Sequence, residues 1–548
     1  MNQTRTFLIF AWLMVAALLF MEWGKEKQSA EQIATTPAPT AAQTNTIPAA
    51  QGQIAAMTTT AQVATAPSAA TYVLSNDVLR LTLDGGSIRR AELLAYRQSR
   101  DPGAPLVRLL DDAPASFYIA RSGWTSAQGA PGAEGGFVAE NPASEHTLTD
   151  GADQVSARFV WTGADGVTIR RTFTLKRGDY ALHVRDEVSN GGSAPWTGHI
   201  DRQLARVPPQ IKRGFTNPES FSFNGAAWYT PEKKYDKRNY EEFAEDGPLN
   251  ITAAGGWVAL LQHYFFTGWI PQADQQANYA LSVSDKHYGI SATGPQFTVP
   301  PGGRARSEAQ LWIGPKLQGR LEKTAPGLNR TLDYGVFTII AEPIHWLLAQ
   351  LHKITRNWGW AIVLLVVLIK LALYPLSAAQ YKSMAKMRKF QPRVQQLKER
   401  YGDDKEKFQM AYLELIKKEK LNPAGGCLPL LIQMPVFLAL YWVLLESVEL
   451  RQAPWTLWIQ DMTSRDPYFI LPAINMAVMW LTQKMTPMVG VDPIQQKMFQ
   501  FMPLIFGVMF AVFPAGLVLY WVTNGSLSML QQWWMMRQYG DKATAAKA

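Results

Sequence analysis

The chain has 548 residues, enough for several domains, and a formal net charge of +9 at pH 7 that looks at first like a nucleic-acid signal. Most of that excess lies in residues 379–425, where twelve Lys or Arg face six Asp or Glu beside apolar runs, so a membrane surface replaces DNA as the expected partner. The single cysteine, Cys427, excludes an internal disulfide and a cysteine-based zinc site, and no metal or cofactor is expected.

An apolar run from Phe7 to Phe20, preceded by Arg5, resembles a secretory signal. The following MEWGKEK offers no small-residue cleavage pattern, so residues 1–23 are expected to remain as a transmembrane signal anchor. Residues 24–71 are rich in Ala, Thr, Gln and Pro and too poor in large apolar side chains to order themselves, which predicts a flexible linker. From Tyr72 the texture becomes period-two: VLRLTL, ARFVW, VTIRRTFTL and YALHVRDEV, separated by Gly, Asn, Asp and Pro clusters. This predicts antiparallel strands in one large exported β-sandwich over 72–325. His146, His183, His199, His263 and His287 are scattered singly, without metal-ligand spacing or a nucleophile motif, so no catalysis is expected there. A groove for sugars or peptides stays open.

Over 331–356, Leu332, Val336, Ile340, Ile344, Leu347, Leu351 and Ile354 share a helical face, which predicts an interfacial amphipathic helix in the outer membrane plane. The alternative is a last helix packed on the sandwich. Transmembrane helix 2 is expected over 358–378, WGWAIVLLVVLIKLALYPLSA. Lys370 falls inside it, at an insertion cost of roughly 2.5–3.5 kcal/mol, against about 0.3–0.6 kcal/mol returned by each central Leu, Ile or Val. Either the amine snorkels to the headgroups or it faces a water-filled cavity.

Residues 379–425 carry two apolar stripes, one through Met384, Met387, Val394 and Leu397 and one through Phe408, Tyr412, Leu415 and Ile416. Tyr401 to Asp404 separates them, predicting a cytoplasmic helical hairpin whose charge meets anionic lipid and offers a ribosome contact. Within 426–536, the segments Cys427–Leu445, Tyr468–Gln483, Met498–Phe513 and Ala515–Met536 are expected to be transmembrane helices 3–6. The loop Glu446–Pro467 is net acidic and so outside. Six spans place both termini in the cytoplasm, with 537–548 a short, weakly basic tail. Gln433, Asn475, Gln483, Thr523 and Asn524 put polar atoms at bilayer depth, where they must face one another or water. With Lys370 and no Asp or Glu inside the other spans, a wet groove accounts for them best. The many methionines after Met434 suit a surface that accepts varied apolar partners.

YPLSAAQYKSMAKM, NPAGGCLPLLIQMPVFLALY, ELRQAPW, DPYFILP, QQKMFQFMP and FPAGLVLYW closely resemble the YidC/Oxa/Alb membrane-protein insertase family. The anchor, linker and β-domain look like its Gram-negative bacterial branch. The resemblance implies six transmembrane helices, a five-helix core plus the anchor, in the bacterial inner membrane. It implies a hydrophilic groove closed on the outside, holding a positive residue at Lys370, where many relatives carry arginine. It also implies nascent membrane proteins as substrates, Sec translocon subunits as partners, and no enzymatic activity. Substrate contact is expected at Lys370, Gln433, Thr523 and Asn524 for polar groups, and along Met434, Phe437, Tyr520 and Trp521 for the apolar segment. The alternative is a membrane-anchored periplasmic carbohydrate-binding or carbohydrate-modifying protein, with function in the sandwich. A secondary transporter would show a repeated half, and none is found.

Overall fold

A computed structural model of the chain describes residues 71–133, 135–141, 143–211, 218–401, 404–418, 428–486 and 493–541. The expected anchor (1–23), nearly all of the linker, Cys427 and residues 542–548 of the tail lie outside these.

The period-two segments are strands because alternate side chains enter one core. Along Val167–Lys176, the positions of Val167, Ile169, Arg171, Phe173 and Leu175 are buried, and those between them are not. Among the described residues, strands from Tyr72 to Pro315 build three sheets of five, nine and six strands, the last including Tyr118–Thr125, which pairs with Trp196–Arg206. Pairing is antiparallel except between Tyr72–Ser75 and Glu145–Thr147, which run parallel. The core between sheets is tryptophan-rich: Trp124, Trp196, Trp228, Trp257, Trp269 and Trp312 are all fully buried. Parity also drives two charges inward. Arg171 and Asp186 are direct cross-strand partners on the buried face and meet bidentately, with Nε–Oδ1 at 2.8 Å and Nη2–Oδ2 at 2.7 Å. Trp124 Nε1 donates to Asp186 Oδ2 (2.8 Å) and Arg171 Nη1 donates to Ser122 O (2.8 Å), so this pair ties two sheets together.

Eight longer helices follow among the described residues. They are α1 (Thr338–Thr355), α2 (Trp358–Ala372), α3 (Tyr374–Tyr401), α4 (Lys405–Lys418), α5 (Leu428–Glu446), α6 (Ile470–Met485), α7 (Pro493–Phe510) and α8 (Ala515–Asp541). Two expectations need correcting. The apolar face expected over 331–356 is not uniformly turned to lipid. Residues Leu328–Thr331 and Gly335–Phe337 are 3₁₀ turns, and in α1 Ile344 and Leu351 are buried against α2 and α5. The outward apolar side chains are Val336, Ile339, Trp346 and Ile354. Second, the span expected over 358–378 is broken: α2 ends at Ala372, Leu373 forms a turn, and α3 leaves at 63°. Pro375 has no N–H for the Leu371 carbonyl, so the hydrogen-bond ladder of α2 cannot run on through it. Among the described residues no single helix is long and apolar enough to cross a membrane alone, and α2 with the start of α3 passes only as a bent pair. Pro435 and Pro503 lie inside α5 and α7.

α3 and α4 form the expected helical hairpin, and Asp404 starts α4 by accepting from Lys407 N (3.1 Å). The β-domain is bound to the top of α5. Lys316 Nζ lies 3.4 Å from Glu446 Oε2, both fully buried, and Ser222 Oγ donates to Glu446 Oε1 (2.8 Å). His263 Nε2 bonds Leu445 O at 2.9 Å, while Arg451 and Gln452 donate to Gln98 O and Arg97 O. The loop after α5 returns to the start of α8, where Ala515 N and Gly516 N donate to Ser464 O and Met462 O.

Candidate functional site

Lys370 sits in the last turn of α2, where the break before α3 turns its amine toward α8. On α8, Tyr520, Asn524 and Ser528 recur every four residues and so line one face. Ser528 is a serine in a helix interior, and its hydroxyl donates to Asn524 O at 2.7 Å, the usual i−4 bond. That leaves its oxygen free to accept, and Lys370 Nζ donates to it at 2.7 Å. Tyr381 OH, two turns into α3, donates to Ser528 O (3.0 Å) and braces the same turn of α8. From α5, Gln433 Nε2 donates to Asn524 Oδ1 at 3.0 Å. Lys370, Ser528, Asn524 and Gln433 thus form one hydrogen-bonded run across three helices.

Two electrostatic features distinguish the amine. Among the described residues it makes no ion pair, and an ammonium carries three donors, of which one has a described partner. It is also more enclosed than an open, water-filled groove would leave it, at 8% exposure. The arrangement is a desolvated cation with uncommitted donors, able to attract a carboxylate without any covalent step. Among the described residues no group of His, Cys, Asp or Glu is placed to hold a metal.

The remaining expected site residues divide. Phe437, Tyr520 and Trp521 form an aromatic cluster with Phe510: Phe437 stacks on Tyr520 at 5.9 Å and meets Trp521 at 4.7 Å, and Trp521 meets Phe510 at 5.3 Å. Tyr520 is buried there, so its ring packs the helices together rather than presenting a sliding surface. Met434 is exposed on α5, and Thr523 is half-buried outside the hydrogen-bonded run. Asn475 is buried on α6 against Met479 Sδ, apart from Lys370. Ser528 and Tyr381 were not foreseen; the four-residue spacing from Asn524 was the available signal for the first.

Outside the helices, burial and then the Lys316 ammonium lower the pKa of His263 to about 4, keeping it neutral where it bonds Leu445 O. Burial raises Glu449 to about 7, so near neutral pH its carboxyl is about half protonated, 3.9 Å from His345 Nε2.

Comparison with known proteins covers nearly the whole chain. The 60Kd inner membrane protein family matches residues 350–542, and the YidC periplasmic domain matches residues 71–347. The chain is 55% identical over 565 residues to the membrane protein insertase YidC of Stenotrophomonas maltophilia (strain R551-3), covering 100% of this chain and 98% of that protein. It is 56% identical over 571 residues to the membrane protein insertase YidC of Xanthomonas axonopodis pv. citri (strain 306), covering 99% and 98%. A crystal structure of an active YidC insertase with its first transmembrane domain resolved aligns over 85% of this chain and 92% of that one, at 20% identity. Its TM-score of 0.38 is too low to add weight.

Proposed function

Because the chain belongs to the YidC family of membrane protein insertases, we propose that the run from Lys370 to Gln433 is where it receives the hydrophilic flank of a nascent membrane protein. The protein is an inner-membrane insertase with a periplasmic β-domain, and its substrates are membrane proteins entering the bilayer. Insertion makes and breaks no covalent bond, so no residue needs a catalytic role. The carbohydrate reading has no support beside full-length identity to insertases.

One observation carries the assignment: Lys370 is buried with a hydroxyl partner and, among the described residues, no carboxylate. A substrate helix gains free energy on entering lipid, and its obstacle is the polar flank that must cross. At about 4 Å and an effective dielectric near 20, the ammonium attracts an acidic group on that flank by roughly 4 kcal/mol before desolvation losses. Such an attraction recruits the flank and still releases it. Gln433 and Asn524 supply further hydrogen-bonding groups, with Thr523 beside them. The apolar segment leaves past Met434, on the outer side of the cluster of Phe437, Tyr520 and Trp521. Six membrane spans are part of this reading, with residues 1–23 the first, α2 with the start of α3 the second, and α5 to α8 the rest. Both termini and the α3–α4 hairpin are then cytoplasmic. The hairpin's basic surface suits a ribosome, and Sec translocon subunits fit as partners for longer substrates.

The test is a substitution series on a small Sec-independent substrate with an acidic flank. Lys370→Arg keeps insertion and Lys370→Ala lowers it at least about tenfold, as loss of about 1.4 kcal/mol of attraction requires. Equal insertion by all three proteins would remove the electrostatic step.

A further inference from the structure

The loop joining α5 to α6 narrows to a tight turn over 456–459, where Ile459 N donates to Thr456 O (3.1 Å) and Trp455 N to Ile459 O (2.9 Å). Leu457 stands at its first corner with φ at +52°, a left-handed conformation that suits Gly or Asn and crowds the Cβ of a leucine. Its side chain is nevertheless 74% exposed. A turn that met only water would carry Gly, Asn or Asp here, because leucine adds strain and gains no burial in return. Phe469, at the start of α6, repeats the combination, with φ at +57° and an exposed ring.

The turn is firmly placed. The buried Asp466 carboxylate accepts from Trp458 Nε1 (3.0 Å) and Tyr468 N (3.0 Å) through Oδ1, and from Leu471 N (2.7 Å) through Oδ2, so the tip is tied to the first turn of α6. Asn357 caps α2 by accepting from Trp360 N (3.1 Å) and donates to Trp455 O (2.8 Å). The Trp455 ring fills the space that any Cβ on Gly359 would need, and it meets Trp360 edge-on at 5.6 Å. Trp360, Leu457, Tyr468, Phe469 and Ile470, all exposed, are thereby gathered at one end of the helices. That end faces the periplasm, because the same loop holds the β-domain: Arg451 and Gln452 donate to Gln98 O and Arg97 O, and Arg100 Nη2 reaches Gln460 Oε1 at 3.4 Å.

We propose that this patch is a lipid anchor, the turn dipping into the outer leaflet of the inner membrane with Leu457 among the upper acyl chains and Tyr468 at the headgroups. This rests on the outward placing of the α5–α6 loop and not on the role given to Lys370. Hydrocarbon supplies what the turn lacks in water, a burial that offsets a leucine held in an unfavourable backbone conformation. The strain is present at all times, so its compensation must be too; a bilayer is always beside this loop, whereas a passing substrate or partner is not. Tyr468 and Trp360 have the amphipathic rings that settle at headgroup depth. Between Gln452 and Phe469 the two carboxylates that would oppose entry are engaged within the loop, Asp466 as above and Asp461 by Gln452 N, Thr463 N and Ser464 Oγ. Arg465 stays exposed and suits the phosphate of an anionic lipid. Since Arg451 and Gln452 belong to the same loop, the anchor also sets how the β-domain sits over the bilayer.

Depth-resolved quenching tests this in the full-length protein, reconstituted in vesicles of phosphatidylethanolamine and phosphatidylglycerol. With Cys427→Ser removing the single native cysteine, an environment-sensitive dye is attached to Leu457→Cys, to Tyr468→Cys or, as a marker of the periplasmic side, to Asp150→Cys on the β-domain. The dye at Leu457 is expected about 5–10 Å below the surface, quenched roughly threefold more by lipid labelled high on its acyl chain than by a water-soluble quencher. The dye at Tyr468 should answer best to headgroup-labelled lipid, and the dye at Asp150 to the water-soluble quencher alone. Tyr468→Cys keeps the test open should Leu457→Cys fail to fold. Equal access of the water-soluble quencher to Leu457, Tyr468 and Asp150 from one face would overturn the anchor, whereas access to Leu457 only from the face opposite Asp150 would overturn the placing of the loop. An apolar emission at Leu457 that arises only when a second membrane protein shares the vesicle would make the patch a protein-docking site and overturn the lipid assignment.

Discussion

Arg171 in the β-domain and Lys370 in the helical part are both buried cations, and only the first has a carboxylate. Arg171 makes a bidentate pair with Asp186, donates to Ser122 O, and lies over the Phe137 ring at 4.6 Å. Lys316 and Glu446 repeat the pattern where the two regions join. Lys370 has a serine hydroxyl. Taking a cation out of water costs several kcal/mol, and a fold that only had to be stable would compensate it fully. The sandwich does so. The helices leave the compensation incomplete, which is what a site for a transient acidic visitor requires.

The sharpest way to break this contrast is to orphan the paired cation. Asp186→Ala is expected to cost about 3–5 kcal/mol, read as a lowered denaturant midpoint of the full chain in detergent. Insertion by molecules that remain folded should not change. A cost below about 1 kcal/mol would mean that Arg171 needs no carboxylate and that the two cations are alike.

The converse substitution, Lys370→Met, removes a charge that nothing compensates. Stability should hold or rise by about 1 kcal/mol or more, as replacing buried ions by hydrophobes often does. Insertion of acidic-flank substrates should fall as for Lys370→Ala. A variant that loses both stability and insertion would make Lys370 a structural residue.

The junction gives an effect with a defined sign. Unfolded, His263 takes up a proton near pH 6.5, whereas folded it resists until about 4. Stability is therefore flat above 6.5 and falls as pH drops from 6.5 toward 4, by about 1.4 kcal/mol per unit. His263→Gln keeps a donor for Leu445 O without titrating, and should remove this part of the acid limb in denaturant midpoints taken across that window. An unchanged limb would place the acid sensitivity elsewhere.

How far these differences were legible depends on the range of the signal. Period-two alternation marks the strands, and parity alone places Arg171 on the same buried face as Ile169 and Phe173. No short-range pattern says that Asp186 will sit opposite it. The break at Leu373 was written in Pro375, but the apolar run around it reads as one continuous span. α1 is apolar on two sides because it packs on α2 and α5 while still presenting Trp346 and Ile354 outward, a division that a helical wheel cannot make. Lys370, Gln433 and Asn524 stood out as polar residues in apolar surroundings. Ser528 did not, since a serine in such a helix is ordinarily satisfied by its own backbone.

That dual role makes Ser528 the finest test of the comparison. Ser528→Ala removes the one described acceptor of the Lys370 ammonium, at an expected cost of about 1 kcal/mol. Insertion should fall by no more than roughly fivefold, because the charge itself remains. Ser528→Thr keeps both the acceptor and the i−4 bond to Asn524 O, and should restore activity. If Ser528 only packs α8 against α2, Ala and Thr will shift the melting midpoint while the ratio of insertion for acidic over neutral flanks stays fixed. If it positions the amine, that ratio falls in Ala and recovers in Thr, because an unanchored ammonium meets the acidic flank less often while neutral flanks are unaffected.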